Sequence, residues 1–201
     1  MSDAPDLHEQ LERLRALSFQ IGTYRPPSEG GAASLLLQVS ENCPWNKCSF
    51  CEMYKDQRFV YRPVQDVIAD IDSVAAIRDE ILAASCKLGM GGEITRELGN
   101  ALLAEGRELI GNAGFVTVFN WLAGGGRTAF LQDANSMIMR TPELVAVLQH
   151  LRERLNSLTR VTTYARSKTL AQKKPEDLRR IREAGLDRLH IGLETGDDEL
   201  L

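Results

Sequence analysis

Three of the four cysteines in this chain of 201 residues lie within nine positions, at Cys43, Cys48 and Cys51. Thiolates are soft, negatively charged ligands that suit iron–sulfur clusters, zinc and copper(I). A four-iron cluster that is held entirely by protein takes four cysteines. Three cysteines on one short loop would therefore leave one corner of such a cluster open to an outside ligand. An open corner favours chemistry at the metal over simple electron storage.

The elements around the cysteines form the beginning of a β/α unit. An apolar run at 34–40 predicts a buried strand directly before the loop. Apolar residues recur at helical spacing across 64–83, and Pro63 stands at the start of that run, where its missing N–H costs little. The order strand, cysteine loop, long helix places the thiols at the carboxyl end of a first strand.

This arrangement resembles the radical S-adenosylmethionine (radical SAM) enzymes, in which three cysteines follow the first barrel strand and an aromatic residue precedes the last cysteine. Here that pair is Phe50-Cys51. The commonest family spacing is three residues and then two, whereas this chain has the variant Cx4CxxC. A second similarity is the segment 191–197, Ile-Gly-Leu-Glu-Thr-Gly-Asp, which is like a motif at the end of the family's fourth strand.

The resemblance implies a [4Fe-4S] cluster held by the three cysteines, with S-adenosyl-L-methionine (SAM) on the fourth iron. Reductive cleavage of SAM would then give a 5′-deoxyadenosyl radical that abstracts hydrogen from a substrate. It also implies an electron donor of the reductase or flavodoxin type. The candidates for contact with SAM share a place near the ends of strands and are Phe50, Asp133, Asn135, Arg166, Ser167 and Glu194. No catalytic residue and no substrate follow from the sequence.

The chain from residue 127 onward alternates regularly between strands and helices. Strands are predicted at 128–133, 160–165 and 186–193, and helices after a cap at Thr141 and over 175–184. Such alternation predicts a parallel sheet, whose working groups gather at the carboxyl ends of the strands. The fold class expected is α/β, an incomplete (β/α) barrel of the radical SAM type that contains the first four strand–helix units.

Zinc is the main alternative ligand, because Cys-x-x-Cys pairs are common in zinc sites. Zinc would take a fourth ligand, and Cys86 is the only other cysteine. The alternative function is thus a metal-stabilised binding module, held by zinc or by a passive iron–sulfur cluster, without SAM chemistry. Gly91-Gly92-Glu93 is similar to a SAM-binding triplet of the family, but no clear strand precedes it, and its pattern favours a surface turn.

The remaining segments of the sequence predict elements outside this strand–helix alternation. Residues 1–31 are interpreted as an N-terminal amphipathic helix and linker, and 32–201 as the core, with a mostly helical insertion at about 86–126. Because four strands would leave an open sheet edge, we expect the chain to be a fragment or to be completed by another segment.

Composition excludes several classes of function. The net charge of −4 gives no nucleic-acid signal, and no apolar run approaches the roughly 18 residues of a membrane span. The acidic N-terminus lacks the apolar core of a secretory signal. A cytoplasmic location is expected, since exposed thiolates require a reducing compartment.

Overall fold

The computed structural model describes residues 7–22, 29, 34–193 and 196–197. Its centre is a four-stranded sheet flanked by helices, with a separate two-stranded pair. The strands of the described part are β1 (Ser34–Gln38), β2 (Ser40–Glu41), β3 (Val60–Tyr61), β4 (Thr128–Gln132), β5 (Arg160–Ala165) and β6 (Arg188–Ile191). The helices are α1 (Leu7–Ala16), α2 (Val64–Lys87), α3 (Arg96–Glu105), α4 (Ala113–Ala123), α5 (Thr141–Arg154), α6 (Ser167–Gln172) and α7 (Pro175–Glu183), with short 3-10 turns at Arg107–Gly111 and Ser136–Ile138.

All pairings in the large sheet are parallel, in the order β1-β4-β5-β6. Ser34 pairs with Thr128, and Thr128 pairs in turn with Arg160. Because the strands run in one direction, their carboxyl ends meet at one edge of the sheet. The order is open, so the described strands form a mixed α/β fold with a parallel sheet and no closed barrel.

One face of the sheet forms the main hydrophobic core. Side chains alternate between the two faces of a strand, and Leu35, Leu37 and Leu131 belong to the buried cluster that includes residues of α2, α4 and α5. Helix α2 explains much of this packing, because a stripe of its apolar residues is fully buried over six turns. Its ends are set by Pro63 before the first turn and by Leu88, whose N–H donates to the carbonyl of Ala84.

The opposite face of the sheet is more polar. Phe130 lies there edge-on to Tyr164, with ring centroids 5.1 Å apart, and Tyr164 lies 5.9 Å from the His190 ring. The backbone of Gly22 also lies on this face, where it exchanges two hydrogen bonds with the side chain of Gln132. The two faces therefore differ in chemistry, one packed by helices and the other lined with hydrogen-bonding groups.

The sequence predicted most of these elements. The strands at β1, β4, β5 and β6 and the helices at α1, α2 and α7 are confirmed within a few residues, and the insertion is helical as expected, in α3 and α4. Three elements were missed: the β2–β3 pair, helix α6 and the 3-10 turns. Thr141 is the first helical residue of α5 rather than its cap, which is Arg140. Gly91 and Gly92 lie in a turn with positive φ after α2, as the pattern favoured.

No helix in the described ranges is both long enough and apolar enough to cross a bilayer. The predictions for the domain boundaries and the cellular location remain predictions.

Asn112 joins the N-terminal helix to the inserted helices. It is the N-cap of α4, where its Oδ1 accepts from the N–H of Phe115 at 3.0 Å. Its Nδ2 donates to the carbonyls of Leu14 and Leu17 at the end of α1, both at 3.1 Å. One side chain thus satisfies unpaired groups at the ends of two helices.

We expect Asn112→Ala to lower the free energy of unfolding by about 1–3 kcal/mol, because it removes a cap and leaves two helix-terminal carbonyls without a donor. Urea unfolding measures the change. Asn100→Ala is the matched control, since Asn100 is exposed on α3 and its loss should change stability by less than about 0.5 kcal/mol. Equal effects of the two substitutions would contradict this assignment.

Glu29 organises the amino end of the sheet. Its side chain is fully buried and accepts hydrogen bonds from Ser34 of β1 and Arg160 of β5, and Nε2 of His190 in β6 lies 3.2 Å from Oε1. Burial by itself raises the pKa of this carboxyl, but the bonds from His190 and Ser34 and the charge of Arg160 outweigh it. The pKa of Glu29 therefore lies below its usual value of 4.5.

A depressed pKa stabilises the fold at pH values above the unfolded pKa, and this contribution is lost as pH falls through the folded pKa. We expect Glu29→Gln to lower stability at neutral pH and to flatten the loss of stability as pH falls below about 4.5. Urea unfolding of both proteins between pH 7 and about 3 measures the two slopes. Parallel pH profiles would show that Glu29 does not carry this dependence.

Candidate functional site

The three clustered cysteines lie in a loop that the small sheet closes at its base. Strand β2 pairs antiparallel with β3, Ser40 opposite Tyr61 and Glu41 opposite Val60. The pairing of β2 with β3 therefore closes residues 42–59 into a loop at the carboxyl end of β1. The loop lies at the edge of the sheet where β4 and β5 also end, as the sequence predicted.

Two asparagines shape the loop from inside. Asn42 and Asn46 have φ angles of 64° and 47°, in the left-handed region that asparagine tolerates better than most residues. The side chain of Asn42 donates to the carbonyl of Arg58 at 2.8 Å. The side chain of Asn46 donates to the carbonyls of Tyr54 and Gln57. Each asparagine therefore permits a tight turn and ties the first half of the loop to the second.

Asp133 fixes this loop to the large sheet. It follows β4 and is 4% exposed. Its Oδ2 accepts from Nε2 of Gln38 at 2.6 Å and from the N–H of Asn42 at 3.0 Å, one residue before Cys43. Its bonds within the chain position the cysteine loop, and the prediction that Asp133 contacts SAM stays a prediction.

The other oxygen of Asp133 lies against the backbone of Gly22. A Cβ at position 22 would lie 2.6 Å from Oδ1, so the close approach requires glycine. Oδ1 is buried and has no hydrogen-bond partner among the described residues. The carboxylate of Asp133 therefore lies between Gly22 of the N-terminal segment and the start of the cysteine loop.

The thiols of the loop are free and partly exposed. The N–H of Asn46 approaches Sγ of Cys43 at 3.4 Å, and Nζ of Lys55 donates to the carbonyl of Cys48 at 2.9 Å. Among the described residues, however, no three His, Cys, Asp or Glu side chains lie close enough together to share a metal ion. The donor set fits a metal centre, and the cysteine side chains would have to turn toward a common point to bind one.

The remaining candidates from the sequence have different surroundings. Phe50 is 65% exposed next to Cys51. Asn135 is 1% exposed, and its side chain bonds to the N–H of Arg166 and to Thr169. Ser167 is exposed at the first turn of α6. Glu194 lies outside the described residues.

Trp45 and Arg166 form a contact that the sequence did not indicate. The guanidinium carbon of Arg166 lies 4.6 Å from the centroid of the Trp45 ring, while Nζ of Lys47 lies 5.4 Å from it. A cation over an aromatic face is attracted to its electron density. The Trp45 ring therefore reaches from the cysteine loop across to the end of β5.

The basic residues that the sequence places in and just after the loop, which include Lys55 and Arg62, do not form one group. Arg62 is buried and pairs with Asp70 of α2 at 2.7 Å, and it also donates to the carbonyl of Gln38. It therefore joins β1 to α2 and is not available to offset charge at the thiols. Lys55 is closer to that role, because its ammonium lies at the carbonyl of Cys48.

We expect Asp133→Asn to loosen the cysteine loop, because a neutral amide accepts more weakly from Asn42 and Gln38 and places an N–H in a buried pocket. Amide hydrogen exchange over residues 42–58 should become faster, and the free energy of unfolding should fall by about 1–3 kcal/mol. Asp79→Asn, on the exposed side of α2, should change neither. Unchanged exchange in the loop of the Asp133 variant would refute its positioning role.

Comparison of the chain with models of protein families, with curated proteins and with solved structures gives no match. What the site does is therefore inferred from its residues and their geometry.

Proposed function

We propose that this chain is the core of a radical SAM enzyme, with Cys43, Cys48 and Cys51 as ligands of a [4Fe-4S] cluster. The observation that carries the proposal is the placement of three free thiols on one anchored loop, directly after the first strand of a parallel sheet. That edge is where α/β folds gather their reactive groups. The open sheet is consistent with the first part of an incomplete (β/α) barrel.

Such a cluster would supply the electron for reductive cleavage of SAM and so the 5′-deoxyadenosyl radical that abstracts hydrogen from a substrate. The chain's own part is position and shielding. Asp133 holds the start of the loop, the N–H of Asn46 approaches Sγ of Cys43, and Lys55 donates to the carbonyl of Cys48. Phe50, whose side chain is 65% exposed next to Cys51, would cover the bound cofactor.

The remaining contacts with SAM belong to the same proposal. Arg166 and Ser167 stand at the carboxyl end of β5, and Glu194 follows β6 in sequence. Asp133 and Asn135 are the other proposed contacts, and Asn135 also holds the backbone N–H of Arg166 at 3.1 Å. An electron donor of the reductase or flavodoxin type would be needed to reduce the cluster.

We expect anaerobic reconstitution with iron and sulfide to give a brown protein with about four iron and four sulfide per chain. The substitutions Cys43→Ser, Cys48→Ser and Cys51→Ser should each abolish or strongly reduce the iron and sulfide content, because each substitution removes one thiolate ligand. Cys86→Ser is the matched control and should retain the cluster, since Cys86 is exposed on α2 and far along the chain from the loop. Iron analysis and visible absorption measure the outcome.

The reconstituted protein reduced with dithionite should convert SAM to 5′-deoxyadenosine, and the three loop variants should not. A colourless protein that binds one zinc per chain through the same three cysteines would instead support the metal-stabilised binding module. Loss of cluster in Cys86→Ser to the same degree as in the loop variants would refute the ligand assignment.

A further inference from the structure

A cleft of about 340 Å³ opens beside the cysteine loop, between Trp45 and helix α6. One wall is the loop residue Trp45, which is 41% exposed. The other wall is the segment that follows β5. The lining residues that carry charge or a hydrogen-bonding group are Asn135, Arg166, Lys168, Thr169, Gln172 and Lys173.

The charged residues of the cleft are all cations. Arg166, Lys168 and Lys173 line it, and none of its lining residues is an aspartate or glutamate. None of the three forms an ion pair within the described ranges. Arg166 stacks on Trp45, and Nζ of Lys173 donates to neutral oxygens, the carbonyl of Met139 at 3.0 Å and Oγ1 of Thr141 at 3.4 Å. Three positive charges thus share a concave surface whose own lining contains no carboxylate.

The walls of the cleft are fixed by a buried amide. Oδ1 of Asn135 accepts from the N–H of Arg166 at 3.1 Å, and its Nδ2 donates to Oγ1 of Thr169 at 2.9 Å. The backbone at the end of β5 and the first turn of α6 are therefore held in one geometry. A fixed set of donors loses less conformational entropy on binding than a mobile one.

Partial burial disfavours the charged form of Lys173. Desolvation lowers the pKa of the Lys173 ammonium, and the charge of Asp177 opposes this only in part. A negative group in the cleft would offset the desolvation of Lys173 and the mutual repulsion of the three cations.

We propose that this cleft binds a small molecule with two or more negative charges, carried by phosphate or carboxylate groups. Arg166 also stands among the proposed contacts with SAM, but SAM sets one carboxylate against a sulfonium and an ammonium, so it would leave Lys168 and Lys173 without a negative partner. The two lysines therefore suit a second, more anionic ligand beside the cysteine loop. It is formed by side chains alone, so its occupation does not depend on a metal cluster.

The test uses the full chain without metal and takes Trp45 as the reporter, with pyrophosphate and citrate as probes at constant ionic strength. The other tryptophan, Trp121, is fully buried and bonded to the carbonyl of Thr128, so it should not respond. We expect a saturable change in fluorescence with at least one probe. Lys168→Gln and Lys173→Gln should each weaken binding by about tenfold, as for loss of a charge-assisted contact. Calorimetry checks the same affinities without the fluorophore.

The matched control is Lys174→Gln, which makes the same change in net charge one residue from Lys173 but outside the cleft. It should leave the affinity unchanged. Lys168 is exposed, so its substitution tests the cleft without risk to folding.

Binding of pyrophosphate alone would identify phosphate as the ligand group, citrate alone would identify carboxylates, and binding of both would show a general oxyanion site. The proposal is overturned if neither probe gives a saturable change, if Lys174→Gln weakens binding as much as Lys173→Gln, or if SAM binds more tightly than both probes. Because no cluster is required, these outcomes are separate from failure of the radical SAM proposal.

Discussion

The carboxylate of Asp133 is the constraint on which the candidate site depends. It accepts from Gln38 at the end of β1 and from the backbone of Asn42 at the start of the cysteine loop, while its second oxygen is pressed against Gly22. Neighbouring strands, the N-terminal segment and the loop therefore meet at one side chain. Burial of a carboxylate costs free energy unless hydrogen bonds satisfy it. The bonds from Gln38 and Asn42 therefore stabilise the buried Asp133, and Asp133 in turn holds the start of the loop.

The edge of the sheet has an unusual distribution of charge. The cysteine loop offers groups that become negative on ionisation, whereas the turn after β5 presents Arg166 and α6 presents Lys168. Trp45, which belongs to the cysteine loop, stacks on Arg166 and so joins the two regions. The ligands proposed for the two regions differ in kind, a soft metal centre on one side and an oxyanion on the other.

Periodicity was enough to predict the main elements, because long apolar repeats such as that of α2 and the alternation after residue 127 are set by one buried face. The functional edge was harder to predict. Asn42 and Asn46 could have been noticed, since asparagine tolerates a left-handed backbone, but their bonds to Arg58, Tyr54 and Gln57 depend on where the loop returns. The internal roles of Asp133 and Asn135 come from contacts with partners distant in sequence, which no local pattern contains. Helix α6 was missed because its six residues include no buried one.

The long segment of chain between β1 and β4 has a consequence for biosynthesis. Asn42 and its partner Asp133 are 91 positions apart, and β1 pairs with β4 across a similar interval. Bringing together such distant segments carries an entropic cost that short-range contacts do not. During translation the thiols leave the ribosome long before the acid that secures them has been synthesised. The nascent cysteine loop therefore exists for a time without the hydrogen bond between Asn42 and Asp133 that holds its start.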